Sequence, residues 1–300
     1  MKLLVFDVGG TEMKYALTED AVTFLYRGIL PTPTESFDRF LSTVREISQK
    51  YKDEAEGIAM ALPGPVDTEN GLCFRNGAMR YPFPNDVAKH LEEVCGLPVI
   101  LENDGRAAVL AEHRYGALRG CQNAAVFLIG TGVGGGLVVN GQVLRGAHHT
   151  AGEFSFVNTE ASAYRDYGNI LAHRCSTAFL LKNYQEKTGE AQPIDGREFF
   201  RRYPNDPAAK EALDELCTNI AVQLMNIYWL LDVEKIAIGG GISAQPAVLE
   251  KIREKTEEVR KNSFTGKIHF PFHLEIVPCE FRNDANLIGA FVTAAERLSR

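Results

Sequence analysis

The chain has 300 residues, 45% of them hydrophobic and 24% charged, which is enough material for two packed cores. Its formal net charge of −7 at pH 7 argues against a nucleic-acid or anionic-membrane surface, which needs clustered Lys and Arg, while leaving room for a local positive patch against a nucleotide. The six cysteines, Cys73, Cys95, Cys121, Cys175, Cys217 and Cys279, are scattered without a C-x-C or C-x-x-C pair, so reduced thiols are expected rather than a disulfide framework or a metal knuckle.

The chain opens on an apolar strand, with no basic segment leading into a long apolar one and no run of about eighteen apolar residues; a cytoplasmic protein is expected. Strands are predicted at Lys2–Val8, Met13–Thr18 and Val22–Leu30. A helix follows from Ser36, in which Phe37, Phe40, Leu41, Val44 and Ile47 recur at helical spacing and form one apolar stripe. Next come a strand at Gly57–Leu62, stopped by Pro63-Gly64-Pro65, a helix at Asp86–Cys95, a short strand at Val99–Glu102, and a helix at Asp104–Leu118 capped by Asn103. The pattern then restarts: a strand at Ala124–Ile129, a glycine turn, a strand at Gly136–Asn140, an Asn140-Gly141 hairpin turn and a strand at Gln142–Leu144. A mostly helical stretch runs from Gly168 to Asp232, its long member starting near Pro207. Strand Lys235–Ile238, Gly239-Gly240-Gly241, a helix at Pro246–Lys261, strand Leu274–Val277 and a helix from Asp284 close the chain.

Two glycine turns stand out because each follows an apolar strand and opens a hairpin. Asp7-Val8-Gly9-Gly10-Thr11, with Lys14 beyond it, is the first; Ile129-Gly130-Thr131-Gly132-Val133-Gly134-Gly135-Gly136 is the second. Backbone N–H groups without a neighbouring Cβ approach an anion closely, and Thr11 and Thr131 add hydroxyl donors. Either turn alone reads equally as a tight hairpin; their matching places in two half-repeats favour a polyphosphate held by both. Asp7 suits either a turn cap or the water shell of Mg²⁺, and Lys14 either a phosphate or a solvated strand face. Gly130, Gly132 and Gly135 also fit a dinucleotide fingerprint, but that motif must open a helix, and the residues that follow read as a strand. Glu102-Asn103-Asp104 lies at the end of one strand and the start of a helix, where α/β sheets present ligand-contacting groups. Asp104 suits proton acceptance from a substrate hydroxyl, and equally a favourable carboxylate at a helix N-terminus.

Taken in order, Asp7-Val8-Gly9-Gly10-Thr11-x-x-Lys14, Glu102-Asn103-Asp104, the second glycine turn and Gly146-x-His148-x-x-Ala151-Gly152-Glu153 resemble the ROK family of sugar kinases and sugar-responsive repressors. Ile238-Gly239-Gly240-Gly241-Ile242-Ser243 and Asn283-Asp284-Ala285-Asn286-Leu287-Ile288-Gly289-Ala290 continue the register, so the resemblance spans almost the whole chain. It implies an α/β, actin-like ATPase fold, ribonuclease H-like and of the hexokinase type, with two lobes and a central cleft. On that pattern residues 1–118 form a small lobe with the first phosphate turn and the base, 119–282 a large lobe with the second turn and the adenosine motif, and 283–300 a helix returning to the small lobe.

The implied activity is an ATP-dependent sugar kinase that transfers the γ-phosphoryl of Mg-ATP to a hydroxyl, C6 in the glucose-like case, of a glucose-like hexose or a β-glucoside. N-acetylmannosamine kinase or fructokinase activity is the alternative within the family. A non-catalytic sugar-sensing regulator is the next, although such members carry an N-terminal helix-turn-helix and this chain begins at its first strand. ATP and Mg²⁺ are the implied cofactors and a sugar the partner, without nucleic acid or membrane; a homodimer is the common family assembly. Gly9, Gly10 and Thr11, with Asp7 and Lys14, would face the ATP phosphates from the first lobe, Asp7 also holding Mg²⁺ through water. Gly130, Thr131 and Gly132 would face them from the second, and Gly239, Gly240 and Gly241 would line the adenosine pocket. Asn103 and Glu153 would hold sugar hydroxyls, the backbone at Gly64 would run along the sugar, and Asp104 would contact the reacting hydroxyl as its base.

One departure matters. After Gly-Glu the family continues x-Gly-His, whereas here Phe154-Ser155-Phe156 follows Glu153, so the histidine that touches the anomeric end and ligates zinc is replaced by Phe156. Residues Asn158 to Ile170 contain no cysteine, and no structural zinc is expected. The adjacent His148 and His149 read as loop residues. Phe156, Tyr164 and Tyr167 are placed either to form an apolar platform for a second sugar ring or to pack in a core or lid.

Overall fold

The structure, a computed structural model, describes residues 1–74, 79 and 81–299, with the backbone alone at Tyr167. The chain forms two units. Met1–Ala111, Val143–Gly152 and Asp284–Arg300 make the first, Glu112–Gln142 and Glu153–Asn283 the second.

The first unit is built on a five-stranded sheet in the order Phe24–Pro31, Glu12–Thr18, Leu3–Val8, Gly57–Leu62, Val99–Asn103. Three strands form an antiparallel meander and the last two join in parallel. Leu3–Val8 and Gly57–Leu62 are buried along their whole length, as expected of mostly apolar strands covered on both faces. On one face Leu4, Phe6, Val8, Ile58, Met60 and Leu62 join Phe40, Val44 and Ile47 of the helix Phe37–Lys50 and Leu91 of the helix Val87–Cys95. Burying each such side chain stabilises by about 1.5–3 kcal/mol. Strand alternation sends Leu3, Val5 and Asp7 to the other face, where the last helix, Ala285–Leu298, lies on the same strands. That helix comes close: a Cβ on Gly289 would fall 1.9 Å from the Ala107 carbonyl oxygen.

The second unit repeats the plan. Its five-stranded sheet runs Gln142–Val143, Val133–Val139, Ala124–Ile129, Lys235–Gly239, Glu275–Pro278, the same order of meander and parallel strands. Its longest helix, Pro207–Leu231, starts on a proline that needs no N–H partner, and the Asp206 carboxylate accepts from the N–H groups of Ala208 and Ala209.

Several predicted boundaries move for identifiable reasons. The third strand starts at Phe24 because Asp20 accepts from the N–H groups of Val22 and Thr23 and closes a turn there. The helix predicted to reach Leu118 ends at Arg114, and the buried Glu112 carboxylate satisfies the following N–H of Ala117 together with those of Glu280 and Phe281. Gly134, Gly135 and Gly136 are strand residues paired with Leu128, Phe127 and Val126, not part of the turn. A small hairpin, Val66–Asp67 with Leu72–Cys73, escaped prediction because its strands are two residues long. All six cysteines are buried, and none of them forms a disulfide. Among the described residues no helix is long and apolar enough to cross a membrane.

Candidate active site

In the first unit the glycine turn is clamped from the end of the third strand. Thr32 donates its N–H to Thr11 O (2.9 Å) and its hydroxyl to Gly9 O (2.7 Å), and Gly9 N–H reaches Glu12 O (3.0 Å). Gly10 and Thr11 are left exposed at the tip. Beneath them Asp7, only 8% exposed, stands opposite Lys14 in the antiparallel register. Its Oδ2 lies 3.4 Å from Lys14 Nζ, and its Oδ1 accepts from Asn286 Nδ2 at 2.9 Å. Each carboxylate oxygen has a second lone pair, so Asp7 retains acceptor capacity for metal-bound water. Were this glycine turn to take phosphate, the carboxylate beside it would suit Mg²⁺, which keeps most of its waters and takes its remaining ligands from phosphate. Among the described residues no group of three or more His, Cys, Asp and Glu is placed to hold a metal ion by itself.

At the far edge of the same sheet the strand Val99–Asn103 runs directly into the helix Asp104–Arg114. Asn103 Oδ1 accepts from Arg106 N–H (2.8 Å), capping the helix, while its Nδ2 donates to Gly64 O (3.0 Å) and Asp104 Oδ1 (3.2 Å). Asp104 Oδ1 also accepts from Gly105 N–H at 2.7 Å. The Asn103 amide thus does two jobs: one end starts the helix and the other joins Gly64 to Asp104. Gly64 has φ of 96°, a conformation that an L side chain resists.

Under this pair lies a cluster that sequence reasoning missed. Glu102, 1% exposed, accepts from Arg106 Nε (2.7 Å), Arg145 Nη2 (2.8 Å), Thr68 Oγ1 (3.2 Å), Thr293 Oγ1 (3.3 Å) and Asn103 N–H (2.9 Å). Arg106 donates onward to the carbonyls of Val66 and His149. A buried carboxylate matched by so many donors fixes geometry more than it adds stability, yet losing one charged partner of such a pair costs about 3–5 kcal/mol. The Glu102–Arg106 spacing of four was a legible signal; Arg145, Thr32 and Asn286 left none, because their partners are distant in sequence.

In the second unit Gly130 N–H donates to Gly132 O (2.9 Å) and Gly130 O accepts from Thr177 N–H (2.9 Å), with Thr131 exposed at the tip. A Cβ on Gly130 or Gly132 would meet nothing nearer than 3.8 Å or 3.9 Å, and neither residue has a positive φ. Neither packing nor backbone strain calls for glycine there; what the absent side chains leave is open space over the turn. Gly135 differs, since a Cβ would strike Phe154 at 2.4 Å. Gly239 and Gly240 are also packing glycines: Cβ atoms there would lie 2.6 Å from Leu128 and 2.3 Å from Ile129 O, and Gly240 has φ of 90°. Gly241 has open space around its Cβ position. Glu153 is half-buried and leads a short turn, Phe154–Phe156, after Gly152 with φ of 83°. Phe154 stacks on Phe127, whereas Phe156 and Tyr164 are 64% and 60% exposed, so core packing does not describe those two. The Tyr167 side chain lies outside the described residues.

Two sheets of one strand order, each closing its first hairpin on a glycine turn, define an α/β ATPase of the actin-like, hexokinase type. The chain belongs to the ROK family, whose model matches residues 4–297. A β-glucoside kinase of Listeria monocytogenes is 31% identical over 260 residues, covering 86% of this chain and 88% of that one. A ROK family protein of Streptococcus pneumoniae, solved in complex with sucrose, superposes with a TM-score of 0.86 at 30% identity, covering 100% of both chains. A ROK glucokinase of Streptomyces griseus with glucose and AMPPNP gives a TM-score of 0.83 at 20% identity, over 97% and 98% of the two chains, and shares the fold. The chain is an ATP-dependent carbohydrate kinase.

Proposed function

We propose that the protein phosphorylates the C6 hydroxyl of a glucose-type ring, presented as the free hexose or as a β-glucoside, with Asp104 as general base. The observation that carries this reading is the Gly64–Asn103–Asp104 constellation: one amide ties a left-handed glycine carbonyl to a carboxylate at a helix N-terminus. Such a carboxylate is oriented before substrate arrives, which is what proton removal in the transition state requires.

The sugar oxygen attacks the γ-phosphorus of ATP in line as the bond to the ADP oxygen breaks, and the hydroxyl proton passes to Asp104. Backbone N–H groups at Gly10, Thr131 and Gly132, with the Thr11 and Thr131 hydroxyls, would receive the phosphates. Lys14, paired with Asp7, adds positive charge beside them. Asp7, steadied by Asn286, would hold Mg²⁺ through its waters, and that ion supplies charge neutralisation to the phosphates when bound. Asn103 and Glu153 orient the sugar hydroxyls, and Gly239, Gly240 and Gly241 border the adenosine. The β-glucoside kinase relative supports extending the acceptor from free hexose to glycoside.

The test is ADP release measured with glucose, N-acetylmannosamine, fructose, cellobiose and gentiobiose. Asp104→Asn is expected to lower kcat by about 10² to 10⁴-fold with the best acceptor, the size of a general-base contribution. Near-normal turnover in that variant removes the base assignment, and turnover that no sugar stimulates removes the kinase reading.

A further inference from the structure

We infer that Phe74 and His149 form a subsite for the second sugar ring of a β-glucoside. The inference rests on reading Gly64 and Asn103 as the part of the site that holds the first ring.

Phe74 follows the small hairpin strand Leu72–Cys73, and its N–H donates to Pro65 O at 3.0 Å, one residue beyond Gly64. It is therefore tied by backbone to the segment whose Gly64 carbonyl receives the Asn103 amide. Its side chain is 46% exposed and lies near-parallel to the His149 ring, at 25° and 6.0 Å between centroids. A lone exposed Phe means little. Here the ring is backed by a second one that is held from two sides. His149 Nε2 is 3.6 Å from Asp67 Oδ2, and its carbonyl accepts from Arg106, the arginine of the buried Glu102 cluster.

Two features mark His149 as more than a spacer. Its φ is 57°, the left-handed region that a non-glycine residue enters at a cost. Its Nδ1 is buried without a hydrogen-bond partner, the one such side-chain atom among the described residues. Buried polar atoms are normally paired, so an orphan next to a substrate-facing loop calls for a partner that arrives later. A pyranose matches both needs: its C–H face packs on an aromatic ring, and its hydroxyls supply hydrogen bonds.

The test compares kcat/KM for cellobiose with kcat/KM for glucose in wild type, Phe74→Ala, Phe74→Tyr and His149→Asn, since Asn tolerates the left-handed backbone. Misfolded protein lowers both constants alike, so their ratio reads the subsite alone. Phe74→Ala is expected to lower the cellobiose-to-glucose ratio on the order of tenfold, His149→Asn to lower it as well, and Phe74→Tyr to keep it within about twofold. An unchanged ratio in Phe74→Ala overturns the subsite and leaves the Asp104 reading intact. Wild type that phosphorylates glucose but no β-glucoside does the same, whereas wild type that phosphorylates no sugar overturns the underlying reading instead.

Discussion

Three carboxylates at strand ends, Asp7, Asp67 and Asp104, are set apart by the donors each one meets. Asp7 faces a lysine and an amide, which leave it acceptor capacity beside the first glycine turn. Asp104 receives a backbone N–H and the Asn103 amide on one oxygen. Asp67 accepts from the N–H groups of Glu69 and Asn70 and from the Asn70 side chain, so it organises a loop. Burial alone would raise the pKa of Asp67, but these hydrogen bonds and the neighbouring His149 hold it below its ordinary value of 3.8. The unfolded chain then binds the extra proton between the lowered and the ordinary value, so this contribution to stability is complete above the ordinary value and is lost as pH falls through the lowered one. Asp67→Asn is expected to flatten the fall in unfolding midpoint below about pH 4. An acid limb as steep as that of wild type counts against the assignment. Asn103 and Asp104 were legible in sequence because the strand–helix junction that displays them is local. Thr32, Asn286 and Arg145 were not, because their partners lie 23, 279 and 43 residues away.

At the scale of elements, the two kinds of glycine make opposite predictions. Gly240→Ala forces a Cβ to within 2.3 Å of Ile129 O at a φ of 90°, and is expected to destabilise the fold by more than about 1 kcal/mol, read as a lowered unfolding midpoint. Gly130→Ala has open space and is expected to leave that midpoint near wild type, while kcat/KM for ATP falls on the order of tenfold or more because the added Cβ stands where phosphate would approach the turn. Equal damage to stability in both variants would remove the distinction. In sequence the glycines looked alike. The run from Gly130 to Gly136 read as one turn, and only pairing with the strand Ala124–Ile129 shows where the turn ends.

The whole molecule is one plan used twice, with the same sheet order in both units. On the proposed function Gly64, Asn103 and Asp104 serve the sugar, whereas Gly130 to Gly132 serve the phosphates. Each ligand should therefore stabilise by itself. At about 100 times its Kd a ligand that binds only the folded chain adds about 2.7 kcal/mol, and the acceptor sugar and ADP are each expected to raise the melting temperature separately. Gly130→Ala is expected to erase most of the ADP shift while keeping the sugar shift. Loss of both shifts together in that variant contradicts the separation of roles. Segment Val143–Gly152 joins the first unit although it follows the second unit's hairpin, with Arg145 on Glu102 as its anchor.

By itself the sequence determined the strand and helix order, the half-repeat and the residues at the turns, because hydrophobic period and turn chemistry are local properties of the chain. Tertiary structure decided which polar groups meet: Asn286 on Asp7, Arg145 on Glu102, Phe74 on His149. Those pairs join segments whose own patterns give no sign of one another, and only the packing of the first unit's sheet, its last helix and the segment Val143–Gly152 brings them into reach.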